Sequence, residues 1–156
     1  MTTALNLQPE TVAMPERRII GLMRRYTMAT RQAIPGQWAD YDAEAGQRPG
    51  PMPEAWYGVC ANFGPEGDFD YLCGTEMQEG AVPEGWAAIT LPAGNWAVFA
   101  TMAHISAMPG MWEAIYRDWV GTGRITLREG PSVEHYPPAF NGATGMGGYA
   151  IWLPVQ

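Results

Sequence analysis

The sequence predicts an α+β fold: two β-α-β-β units related by a pseudo-two-fold axis, forming a mostly antiparallel sheet with two main helices and a central ligand cleft. Three observations carry this. The stretch Thr27-Met28-Ala29-x-x-x-Ala33-x-Pro35-Gly36-x-Trp38 returns 74 residues later as Thr101-Met102-Ala103-x-x-x-Ala107-x-Pro109-Gly110-x-Trp112, and an internal repeat constrains architecture more than any other sequence feature. Each copy follows one stretch rich in β-branched and aromatic residues and precedes two more. A chain of 156 residues suits one compact domain or two small halves sharing a core.

Residues 1–14 read as a flexible N-terminal tail and 15–156 as a single domain, with halves of about 15–78 and 93–156 joined by a linker over 79–92. In the first half, Arg17 to Met28 places Ile19, Ile20, Leu22, Met23 and Tyr26 among four arginines, a composition that favours a strand. Pro35 then suits a first helical turn, and Trp38, Tyr41 and Ala45 recur at helical spacing until Gly46. A connector with Pro49, Pro51 and Pro53 leads to two strands, Trp56 to Ala61 and Phe69 to Met77, joined by the turn residues Gly64 to Asp68. Within the linker, Trp86 to Leu91 is apolar enough to form an extra strand.

The second half repeats the order. Gly94 to Met102 corresponds to the first long strand. Met108, Met111, Trp112, Ile115 and Trp119 make a helical stripe ending near Gly121-Thr122-Gly123, with Glu113 and Arg117 spaced to pair on the other side. Pro131 to Tyr136 and Tyr149 to Val155 read as the closing strands, separated by a glycine-rich loop from Asn141 to Gly148.

Composition narrows the function. Sixteen Asp and Glu stand against nine Arg, with no Lys, for a net charge of -7. Such a balance disfavours nucleic acid and weakly favours cations. The arginines at 17, 18, 24, 25 and 31 form the one basic cluster, and those on the strand fall on both its faces, which reads as a solvated edge and not a nucleic-acid groove. The N-terminus lacks a signal-peptide pattern and no run has the length of a membrane span, so a cytoplasmic chain without membrane contact is expected. Cys60 and Cys73 are then expected to be reduced thiols. Neither His104 nor His135 has zinc-ligand spacing, and no phosphate-binding glycine motif opens a helix. No metal and no cofactor are expected; the oligomeric state, including a homodimer, stays open.

Glu134 stands out because it interrupts an apolar, aromatic strand. Strand alternation places Glu134 and Tyr136 on one face and Val133 and His135 on the other. Three roles stay open for this carboxylate: counter-charge for a flat cation in an aromatic pocket, general base for water, or a surface residue. Trp38 and Trp112 read first as core residues of the helices and second as pocket walls. The full set of candidate ligand-binding residues is Glu134, Tyr136, Trp152, Trp96, Phe99, Trp112, Trp38, Tyr71 and Tyr57.

The runs Trp56-Tyr57-Gly58-Val59, Tyr71 to Met77, Leu91 to Phe99, Met111 to Trp119, Glu134-His135-Tyr136 and Ile151 to Val155 together resemble the GyrI-like effector-binding domain. That family includes the ligand-binding halves of AraC-type and MerR-type multidrug regulators. The resemblance implies the duplicated fold, with a ligand held between the halves. It also implies that Glu134 contacts cationic lipophilic ligands and that Trp152 is the aromatic position of the last strand. A second acidic position of the family is Ala150 here, which argues against dications. With no DNA-binding domain in the sequence, a stand-alone sensing or sequestering protein is expected. The resemblance brings two alternatives: a hydrolase of cyclopropane-bearing electrophiles in which Glu134 activates water, and a protein-interaction modulator of the gyrase-inhibitor type.

Overall fold

The computed structural model describes residues 7–45 and 53–156. Its strands are β1 (Glu10–Met14), β2 (Arg17–Tyr26), β3 (Trp56–Ala61), β4 (Phe69–Glu76), β5 (Ala87–Leu91), β6 (Gly94–Thr101), β7 (Ser132–Tyr136) and β8 (Tyr149–Val155), and its helices are α1 (Ile34–Glu44) and α2 (Met108–Ile115). The expected tail is thus corrected at Glu10–Met14, which is a strand. Residues 1–6, the helix end at Gly46, and Pro49 and Pro51 of the connector lie outside the described residues.

The repeat marks where each helix begins. A short 3-10 turn leads into each one, Arg31–Ala33 and Ile105–Ala107, so the two turns lie 74 residues apart as the motif does. Pro35 and Pro109 sit in the first helical turns, where the missing N–H leaves no bond unmade. After Ile115 the second helix widens into a π-helical turn over Tyr116–Val120. This shifts the side-chain register, and Arg117 pairs with the adjacent Asp118 at 2.9 Å in place of the expected Glu113.

One eight-stranded antiparallel sheet has the order β1-β6-β8-β7-β3-β4-β2-β5. Read outward from the central β3–β7 pair, the two sides are equivalent: β3-β4-β2-β5 and β7-β8-β6-β1. The pseudo-two-fold axis therefore passes between β3 and β7. The outer strands are exchanged. Only Pro15 and Glu16 separate β1 from β2, yet β1 pairs with β6 of the second half. Only Pro92 and Ala93 separate β5 from β6, yet β5 pairs with β2 of the first half. Each half's sheet is completed by a strand from the other.

Both helices lie on one face of this sheet. Helix α1 packs on Tyr26, Phe69, Tyr71 and Cys73, and α2 on Phe99, Tyr149, Ile151 and Leu153. The face without helices buries Ile19, Val59, Leu72 and Val133 completely. The sheet curls into a half-barrel. The expected solvated edge is corrected for Arg17 and Arg18, which β5 covers, while Arg24 and Arg25 lie beyond β5 and are exposed. Three are ion-paired, Arg17 with Glu76 at 2.9 Å, Arg24 with Asp40 at 2.7 Å, and Arg25 with Asp70 at 3.0 Å and with Asp68, while Arg18 donates to the Gly80 carbonyl at 3.0 Å. Cys60 and Cys73 are free thiols on neighbouring strands, offset in register, since Cys60 opposes Tyr71 and Cys73 opposes Gly58.

Candidate functional site

The strip of sheet between the two helices is the β3–β7 pair, and Glu134 is at its centre, directly opposite Gly58. The glycine makes room. A Cβ on residue 58 would stand 2.2 Å from the Tyr71 hydroxyl and 2.7 Å from Glu134 Oε1, closer than such contacts permit. Where β7 carries a carboxylate, the opposite position of its pseudo-symmetric partner strand carries no side chain.

Glu134 is only 8% exposed and accepts hydrogen bonds from neutral donors. The Tyr71 hydroxyl donates to Oε1 at 2.7 Å, the Tyr136 hydroxyl to Oε1 at 3.1 Å, and the Trp112 indole N–H to Oε2 at 3.2 Å. Trp38, the repeat equivalent of Trp112, donates to the Tyr71 hydroxyl at 2.9 Å. One helix therefore holds the carboxylate directly and the other holds it through a tyrosine. Oε1 has both lone pairs occupied, whereas Oε2 keeps one free.

Among the described residues Glu134 takes part in no ion pair. Burial pushes its carboxyl above the usual carboxylate range, and the hydrogen bonds from Tyr71, Trp112 and Tyr136 pull back only in part. The same burial, together with the Glu134 charge, pushes the Tyr71 and Tyr136 hydroxyls well up, so both remain donors.

A buried glutamine fixes Tyr71. Gln37 Nε2 donates to the Leu22 and Tyr71 carbonyls, each at 2.9 Å, and its Oε1 accepts from the Tyr26 hydroxyl at 2.6 Å. Its repeat equivalent is Met111, equally buried and apolar. At the outer side, Tyr116 is 43% exposed and stacks on Trp112 with ring centroids 6.2 Å apart. Sequence reasoning passed over Gly58, Gln37 and Tyr116 as site residues. The readable signal for Gln37 was a polar residue where the second copy of the motif has methionine.

Of the candidates, Tyr136, Tyr71, Trp112 and Trp38 gather around Glu134. The structure does not bring the others to the carboxylate. Trp152, Trp96 and Tyr57 are on the opposite face, because Glu134 pairs with Ile151 and the next residue of β8 points the other way. Tyr57 stands 5.8 Å from the Trp152 ring, and Trp96 stands 6.4 Å from it. Phe99 shares the helix face but is fully buried against Trp119, away from the carboxylate. Among the described residues no helix is long and apolar enough to cross a membrane.

Similar proteins agree with this architecture. The transcriptional regulator BrlR of Pseudomonas aeruginosa is 35% identical over 91 residues, which is 58% of this chain but only 33% of BrlR. The solved structure of SAV2435 bound to tetraphenylphosphonium superposes with a TM-score of 0.76 at 18% identity, covering 96% of this chain and 94% of that one. The EcmrR C-terminal domain has a TM-score of 0.63 at 12% identity, covering 97% and 98%. The model of the GyrI-like small molecule binding domain matches residues 7–156. With a duplicated sheet, two helices on one face and an acidic, aromatic centre between them, this chain belongs to the GyrI-like small molecule binding domain family.

Proposed function

We propose that the domain binds a lipophilic, aromatic monocation between α1 and α2, with Glu134 as counter-charge, and serves to sense or sequester it. One observation carries the reading: Glu134 is a buried carboxylate surrounded by neutral donors, with no ion pair among the described residues. A buried charge without a partner is costly, and a ligand that brings the opposite charge relieves that cost. Indole and phenol faces favour a cation whose charge is spread over a large apolar body. A single carboxylate favours one positive charge over two. The tetraphenylphosphonium bound by SAV2435 is a ligand of this chemistry, which supports the reading.

Oε2, which accepts only the Trp112 N–H, keeps a lone pair for a cation. A larger cation would displace the Trp112 N–H and exchange a neutral donor for a charge. The test is a thermal-shift titration with tetraphenylphosphonium and with triphenylphosphine oxide, which is neutral and of similar shape. The midpoint should rise with the cation concentration and stay flat with the oxide. Equal shifts with both would reject Glu134 as anchor, and consumption of a cyclopropane-bearing electrophile incubated with the protein, read by mass spectrometry, would favour the hydrolytic alternative.

A further inference from the structure

The opposite face of the sheet has a groove of about 380 Å³ lined by Val12, Met14, Val98, Ala100, His135 and Trp152, among others. That volume falls within the range of small-molecule sites. Its floor is the stack of His135 on Trp152, ring centroids 4.7 Å apart and planes inclined by 21°. Tyr57 closes one side of the stack, edge-on to His135 at 5.3 Å. None of the hydrogen bonds found among the described residues involves a nitrogen of His135, although the ring is fixed on both sides by aromatic contacts. A preoriented imidazole at the end of an apolar groove offers one donor and one acceptor to a ligand.

Charge selects the occupant. No Asp or Glu lines the groove, and the Arg17 guanidinium lies 5.8 Å from the Trp152 ring. A cation suited to Glu134 would find no carboxylate in the lining: Glu10 lies beyond it on the β1 face that carries Val12 and Met14, and Arg17 is already paired with Glu76. We infer that this groove is a second ligand site, separate from the Glu134 site, for a neutral flat aromatic molecule that stacks among Val98, Ala100 and Trp152 and hydrogen-bonds His135. The two sites sit back to back: Glu134 and His135 are consecutive in β7 and point to opposite faces of the sheet.

N-phenyl-1-naphthylamine is a suitable probe, being neutral, aromatic and fluorescent in apolar surroundings, with one N–H to donate to the imidazole. Ala100 is exposed, so Ala100→Trp fills the groove without entering the core. Fluorescence titration should show saturable binding that excess tetraphenylphosphonium does not displace. Ala100→Trp should weaken it at least tenfold, and His135→Phe, which keeps the stack but removes the hydrogen bond, about fivefold. Glu134→Gln should leave it unchanged. Displacement by the phosphonium, or unaltered binding in Ala100→Trp, would overturn the inference. Loss in Ala100→Trp with no loss in His135→Phe would overturn the role of the imidazole. Fold integrity is read from thermal midpoints, so the result stands whether or not a cation binds at Glu134.

Discussion

Gly58→Ala is the smallest substitution that strikes the centre of the site. The added methyl would sit 2.2 Å from the Tyr71 hydroxyl and 2.7 Å from Glu134 Oε1, so at least one of the two side chains must move by about an ångström. Tyr71 has little freedom to do so, being 1% exposed and held at its backbone by Gln37. Displacing its hydroxyl breaks the bond to Glu134, worth about 1.5–3 kcal/mol with a charged acceptor, and the bond from Trp38, worth about 0.5–1.5 kcal/mol. Alanine returns about 0.4–1 kcal/mol through the unfolded chain. The expected net loss is about 1–4 kcal/mol, measured by urea unfolding with tryptophan fluorescence. In a Tyr71→Phe background the clash with the hydroxyl is gone, so the same alanine should cost at least about 1 kcal/mol less, a coupling that a double-mutant cycle reads directly. A loss below about 0.5 kcal/mol in the parent chain, or no coupling, would refute the claim that Gly58 exists to admit Tyr71 and Glu134.

Glu134→Gln should be more stable than the parent at pH 7 to 8, and the gap should close in acid. The folded-state value of Glu134 is raised above its ordinary 4.5, so its stabilising contribution is complete below that pH and is lost as pH rises through the folded value. Thermal melts of both proteins from pH 4 to 8 check this, and a difference independent of pH would contradict it. His135 acts with opposite sign: burial and Arg17 lower it from 6.5 to about 4, so stability should fall as pH drops from about 6.5 toward 4, and His135→Phe should remove that slope. Gln37→Met, which copies the second half of the repeat into the first, should cost about 2–4 kcal/mol in urea unfolding, because it leaves the buried Tyr26 hydroxyl without its acceptor and frees the Tyr71 strand.

Much of this fold was legible because duplicated sequence makes duplicated structure. The motif located the start of both helices, and the alternation of Ser-Val-Glu-His-Tyr placed Glu134 with Tyr136 and against His135 correctly. Strand β1 escaped because Glu10 to Met14 alternates too briefly to stand out from a polar terminus. The matching links Met14-Pro15 and Leu91-Pro92 were the available clue that β1 and β5 are equivalent. The misplaced tryptophans have a different cause. Alternation within one strand assigns faces only relative to that strand, and whether Trp152 points with Glu134 depends on the β7–β8 register, which is set when the sheet closes. The carboxylate's donors were hidden for a related reason: Trp38 reaches Glu134 only through Tyr71, across three separate elements.

The central claim is that Glu134 is a buried carboxylate awaiting a cationic partner, and calorimetric titration of tetraphenylphosphonium into the parent protein and Glu134→Gln tests it most directly. Loss of a desolvated charge pair, about 1.4–2.7 kcal/mol after the cost of dehydration, should weaken binding between about tenfold and a hundredfold. Affinities within twofold of each other would contradict the account.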